Sequence, residues 1–232
     1  MNVRTWMMAV ACSATTAPVA AQVGHLPQRS PYTDLEFRQE VTIFGGYYNA
    51  GTDRVGVAPG SGPMIGARYD LRLGGPASLT SKLAYVSSQR TVIDPRRPED
   101  QRVVERDAAW PVYMADVGIS LNLTGQRSYR KLVPFVNGGL GVATDLKSGA
   151  DVGTWKFGIP FAFSLGAGIK WVPSGNLQAR VDVSDQLYQI KYPNLYYETA
   201  SDGTSVLAPR EAKNDWTSNL GLTFGLSYLF FR

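Results

Sequence analysis

The chain has 232 residues, 44% hydrophobic, 18% charged and 11% aromatic, with 24 glycines and one cysteine. No apolar run approaches the roughly 20 residues that a membrane-crossing helix needs, so a helical span is excluded. A formal charge of +4 is too even for a nucleic-acid binder, which carries a clustered basic footprint.

The N-terminus has the form of an export signal. Arg4 gives a positive start, Trp6 to Ala11 a short apolar segment, and Val19-Ala20-Ala21 the small residues that precede a signal-peptidase cut. Residues 1–21 are expected to be removed by cleavage after Ala21. Lipid attachment at Cys12, after Ala9-Val10-Ala11, is the alternative, but the apolar stretch before it is very short and does not begin with Leu. Cleavage discards the only cysteine, and with it disulfides and Cys-ligated metal. It also removes Arg4 and no acid, lowering the formal charge from +4 to +3. Residues 22–37, with His25, Pro27 and Pro31 among polar neighbours, show no periodicity and are expected to form an irregular tail.

Eight segments follow in which apolar side chains alternate with polar or small ones, the period of a strand with two unlike faces. The first lies near 38–48, and the second sets Ile65, Ala67, Tyr69, Leu71 and Leu73 against Gly66, Arg68, Asp70 and Arg72. The third lies near 77–89, and the fourth sets Tyr113, Val117, Ile119, Leu121 and Leu123 against Asp116, Gly118, Ser120 and Asn122. In the fifth, Leu132, Val136, Leu140 and Val142 oppose Asn137, Gly139, Gly141 and Ala143. The sixth places Ile159, Phe161, Phe163, Leu165, Ala167, Ile169 and Trp171 on one face. The seventh does so with Leu177, Ala179, Val181, Val183 and Leu187. In the eighth, Trp216, Leu220, Leu222, Phe224, Leu226, Tyr228 and Phe230 oppose Thr217, Asn219, Gly221, Thr223, Gly225 and Ser227.

The connections alternate in length. Gly74-Gly75-Pro76, the stretch near 124–131 and Pro173-Ser174-Gly175 are short; those near 49–62, 90–109, 145–158 and 188–214 are long and polar. Short turns at one rim and long loops at the other describe an antiparallel up-and-down transmembrane barrel, with periplasmic turns, extracellular loops and both termini periplasmic. A soluble lipocalin-type barrel would invert the faces. Two features favour the membrane arrangement. Glycines crowd the non-apolar face at 139, 141, 166, 168, 221 and 225, leaving room inside a narrow barrel. Aromatics (Tyr47, Tyr113, Trp171, Tyr228, Phe230) gather near strand ends on the apolar face, as interfacial girdles require.

By this pattern the chain from Arg38 onward resembles the small bacterial outer-membrane β-barrels typified by the OmpA transmembrane domain and OmpX. The resemblance extends to the C-terminal assembly signal of that family: Thr223, Gly225, Tyr228 and Phe230 match its polar, glycine and two hydrophobic positions. Phe231 and Arg232 follow, where the aromatic is usually last. The resemblance implies an eight-stranded all-β barrel in the outer membrane, contact with outer-membrane lipid, and delivery by the barrel-assembly machinery.

The lumen-facing set includes Arg38, Glu40, Arg68, Asp70, Arg72, Lys82, Asp116, Lys170, Arg180 and Asp182. Centred hairpins oppose Arg68 to Lys82 and Lys170 to Arg180, which is unfavourable unless acids intervene. Asp70 and Asp182 are expected to tie these cations into a network that fills the lumen, since eight strands enclose little more than their own side chains. A narrow channel for small or apolar solutes is the competing reading. Some small outer-membrane barrels are lipid-modifying enzymes with a histidine beside a serine and an acid. The one histidine here, His25, sits in the tail, so no catalytic residue is assigned. Metal-ligand spacings, zinc motifs and nucleotide-binding glycine loops are absent from the sequence, and no cofactor is expected. Loop 90–109 mixes five arginines with five acids and reads as a solvated polyampholyte. Tyr188, Tyr192, Tyr196 and Tyr197 are either a contact surface for an extracellular partner or an aromatic belt on a strand that continues above the membrane.

Overall fold

The computed structural model describes residues 30–231; the expected export signal, Cys12 and His25 lie outside them. Among the described residues twelve strands occur in chain order. They are β1 (Tyr32–Asp34), β2 (Gln39–Asn49), β3 (Gly62–Gly74), β4 (Ala77–Val86), β5 (Gln89–Ile93) and β6 (Val103–Ala109). After these come β7 (Val112–Asn122), β8 (Arg127–Tyr129), β9 (Leu132–Thr144), β10 (Phe161–Ser174), β11 (Leu177–Lys191) and β12 (Asn214–Phe230). Eight of them, β2, β3, β4, β7, β9, β10, β11 and β12, pair antiparallel in that order, and β12 pairs back onto β2. The sheet therefore closes, and no strand of the barrel is left with an unpaired edge.

The registers fix the tilt. Asn49 pairs with Leu220, then Asp185, Leu165, Gly138, Ile119, Leu79 and Leu71 follow in turn, and the circuit returns to β2 at Gln39, ten residues from Asn49. A stagger of this size makes strands of an eight-stranded barrel lean roughly 40° from its axis.

The two faces are those of a membrane barrel. Ile43 and Leu226, on the outside, are 72% and 73% exposed, whereas Arg180 and Asp182, inside, are 2% and 3% exposed. No soluble barrel can tolerate that arrangement, because it would offer a continuous apolar belt to water. Tyr47, Tyr113 and Trp216 ring the long-loop end of this belt, and Trp171 and Tyr228 the short-turn end.

Four segments differ from their sequence-level reading. Part of the supposedly irregular tail is β1, whose Thr33 faces Ser128 of β8 inside the 124–131 connection. Because β8 lies across the barrel from the start of β2, residues 32–38 run as a strap over the short-turn mouth. Leu35 N–H bonds to the Gln126 carbonyl (2.9 Å), and Arg72 Nη1 donates to the Leu35 carbonyl (2.6 Å). Loop 90–109 is a solvated polyampholyte only in part: Arg96, Arg97, Glu99, Asp100, Glu105, Arg106 and Asp107 are exposed, but the loop is not unstructured. It holds the hairpin β5–β6, and Arg90, Asp94 and Arg102 are buried, since they bond to neighbouring loops or loop backbone rather than to water. Strands β10 and β11 also extend beyond the alternating stretch, β11 as far as Lys191.

Candidate functional site

The lumen is layered. On the short-turn side β2, β3, β4, β10 and β11 point charged side chains inward. Lys170 Nζ lies 2.7 Å from Glu40 Oε2, and Gln178 donates to Glu40 Oε1 at 2.6 Å. Arg180 bridges two acids, with Nη1 3.1 Å from Asp70 Oδ2 and Nε 3.1 Å from Asp182 Oδ2. Arg68 reaches Asp182 Oδ1 at 3.5 Å. Lys82, opposite Arg68 in register and facing Asp116 on β7, bonds to Ser184 Oγ at 3.5 Å. Four buried cations thus meet buried Glu40, Asp70 and Asp182 and half-buried Asp116, so the layer is formally neutral. Phe135 lies under the Arg180 guanidinium, with its ring centroid 4.1 Å from the central carbon, and supplies apolar packing for a buried cation.

Two members of the sequence-level set do not join this layer. Arg38 is exposed, because β2 begins one residue later and its side chain is no longer held in the wall. Arg72 sits half-buried at the mouth and spends a donor on the strap. Gln178, Thr42, Ser184 and Ser227 were missed, although their parity places them on the same face. Thr42 Oγ1, for example, is 2.8 Å from Ser227 Oγ.

Above the charged layer the lumen turns apolar, with Phe44, Tyr48, Met64, Val86, Met114 and Tyr188 buried in one cluster. That cluster continues into all four long loops, through Val57, then Ile93 and Trp110, then Trp155 and Phe157, then Tyr192, Tyr196 and Leu207. The loops therefore fold as a cap over the lumen. Arg90 is its centre: the guanidinium stacks between Trp110 and Trp155, 4.3 and 4.1 Å from their centroids, and pairs with Asp151. Trp110 Nε1 donates to Asp145 (2.9 Å), Arg102 donates to the Ser205 carbonyl (3.4 Å), and Tyr192 donates to Asp53 (3.0 Å), so each loop is fastened to another. Burial, reinforced by the Asp53 carboxylate, raises the Tyr192 phenol well above its ordinary pKa. Burial, with Asp151 nearby, does the same for Tyr196.

The tyrosines read either as a contact surface or as an aromatic belt are consequently mostly interior. Tyr188, Tyr192 and Tyr196 are buried, and Tyr197 is half-buried with its hydroxyl on the Ala212 carbonyl (3.0 Å). They pack inward because the cap has its own apolar core, a feature that composition alone does not reveal. Of the C-terminal signal residues, Thr223 and Gly225 face the lumen while Tyr228 is exposed on the outer belt and stacks on Phe230.

No protein-family model matches the chain, and no curated protein matches its sequence. Solved structures do match. The crystal structure of Neisserial surface protein A aligns with a TM-score of 0.50 at 11% identity, over 83% of this chain and 97% of that one. The outer membrane protein OprG from Pseudomonas aeruginosa aligns with a TM-score of 0.52 at 12% identity, over 85% and 98%. The outer membrane protease OmpT from Escherichia coli, at a TM-score of 0.38 and 8% identity over 85% and 98%, is too distant to bear on chemistry. With the closed sheet and its apolar exterior, the first two likenesses define the fold: an eight-stranded β-barrel of the outer-membrane type.

Proposed function

We propose that this chain serves the outer membrane as a closed barrel, structural in the bilayer and presenting a rigid folded cap to the outside, without conducting solutes and without catalysis. The observation that carries this reading is that the lumen is filled twice, by the neutral charged layer near the strap and by the apolar core that runs into the cap. A pore needs a continuous aqueous path, and an eight-stranded barrel has no spare width around such fillings. Among the described residues there is no histidine, so the loops of the cap do not themselves supply a Ser-His-acid set. The loops, stitched to one another, form a surface whose shape is set in advance, which favours recognition of an extracellular partner at low ordering cost.

Purified protein in liposomes tests the closed state. Swelling in small sugars and amino acids should match that of protein-free liposomes; swelling that scales with protein content would instead favour the narrow channel. Delivery by the barrel-assembly machinery through the β12 signal is part of the same proposal. Tyr228→Ala with Phe230→Ala should lower the folded fraction in cells several-fold yet leave refolding in detergent intact, whereas equal loss in both settings would mean that these rings act only as packing.

A further inference from the structure

The strap makes a chamber of the short-turn mouth. Beneath it lies a cavity of about 390 Å3, within the range of small-molecule sites. Its floor is the charged layer, where Glu40 and Asp70 are already engaged by Lys170 and Arg180. Asp34 on the strap is engaged by Arg127 at 2.8 Å. The cations that line the cavity are in a different state. Among the described residues no carboxylate comes within 4.0 Å of Arg38, Arg72 or Lys131, and the only side-chain bond of the three is that of Arg72 to the Leu35 carbonyl. The remaining wall is mixed, with Leu35, Phe37, Val172, Pro173 and Leu229 as its apolar part, Thr33, Gln39, Ser128 and Gln178 as its polar part, and Glu36 as one further acid on the strap.

Three cations against one further acid, beside apolar side chains, select one ligand chemistry. We propose that this chamber binds a small amphipathic carboxylate from the periplasmic side, its head on the Arg72 guanidinium with Arg38 and Lys131 at the rim, its apolar body against Leu35, Phe37, Val172 and Leu229. A guanidinium can hold a carboxylate through parallel hydrogen bonds, and Arg72 retains donors for this. The volume admits a body of roughly a dozen non-hydrogen atoms, at about 30 Å3 for each atom or water displaced. The charged floor, paired and neutral, keeps the ligand from passing further.

The test uses the mature protein in phosphatidylcholine nanodiscs, with 4-phenylbutanoate as probe and 4-phenylbutanamide as its uncharged match, followed through the backbone amide resonances of residues 33–38. The carboxylate should shift these resonances saturably, and the amide should bind at least tenfold more weakly. Arg72→Gln should weaken the carboxylate about tenfold while leaving the amide unchanged, with Arg72→Lys recovering part of the loss. Because Arg72 also holds the strap, Lys131→Gln gives a second reading from a side chain with no partner to lose, and should weaken the carboxylate several-fold. Equal binding of the two probes, or carboxylate binding undiminished in both glutamine variants, would overturn the proposal. None of these readouts depends on conductance, so their failure leaves the closed-barrel reading standing, and the reverse holds.

Discussion

Gly168 faces the lumen where a Cβ would stand 2.6 Å from the Phe135 ring and 2.3 Å from the Val181 carbonyl, and at Gly66 it would stand 2.4 Å from the ring of Phe44. These glycines are what let two phenylalanines lie among charged neighbours in so narrow a barrel. Gly168→Ala must push Phe135 off Arg180, and should cost about 1–3 kcal/mol as an overpacked core does; unchanged urea unfolding in lipid would show that the ring has room to move. Within the charged layer, Asp182→Asn weakens the bonds of both Arg68 and Arg180 and should destabilise by about 3 kcal/mol, the scale for breaking one partner of a buried pair. Asp202, exposed on the cap, shows the opposite situation. Hydrogen bonds from the Thr204 hydroxyl and backbone and from the Glu99 N–H hold it down to about 2, so its contribution is present at neutral pH and is lost only as pH falls below the usual carboxylate range. At this scale sequence parity was informative: alternation placed Arg68, Asp70, Lys170, Arg180 and Asp182 on one face. It misled at Arg38, which precedes β2, while Arg72 is still within β3 and lines the short-turn mouth; parity cannot say which inward residues join the paired layer.

The cap behaves as an element of its own, held by Arg90 between two tryptophans and by hydrogen bonds from loop to loop. Arg90→Leu removes the cation from both rings and leaves Asp151 without its partner, so the loops should open while the barrel stays folded. Limited proteolysis should then cut within 145–160 and 192–213 at least tenfold faster, and an unaltered digestion pattern would mean that Arg90 is dispensable. Alkaline pH should act in the same direction. The buried phenols of Tyr192 and Tyr196 titrate above their unfolded value near 10. Their contribution is therefore complete below that pH and is lost as pH rises through the raised values. A phenolate absorbance titration should show a late-titrating group lost in the Tyr192→Phe, Tyr196→Phe double variant, which a single transition near pH 10 in both proteins would contradict. The strands were legible because each has one apolar and one polar face. The cap and the strap were not, since their burial comes from loops packing on loops, and neither β5–β6 nor β1 carries a period that marks it.

At the scale of the whole molecule, closure of the sheet and filling of the lumen are separate facts with separate consequences. Closure pairs every barrel strand on both sides, so unfolding must break the ring as a whole. An unboiled sample should therefore migrate differently from a boiled one on a detergent gel, and identical mobility would argue against a closed ring. Eight strands, a turn-side mouth and a loop-side mouth were all predicted from alternation and from the rhythm of short and long connections, because a barrel repeats one rule eight times. Whether the lumen is open depends instead on which side chains meet at its centre, and there the pairing of Glu40 with Lys170 and of Arg180 with Asp70 and Asp182 decides. The most direct test is a planar-bilayer recording of the unmodified protein. A filled lumen predicts a baseline without discrete steps across the accessible voltages, unchanged when Asp70 or Asp182 is replaced by asparagine because the bulky cations remain; a steady, large conductance in the unmodified protein would contradict it.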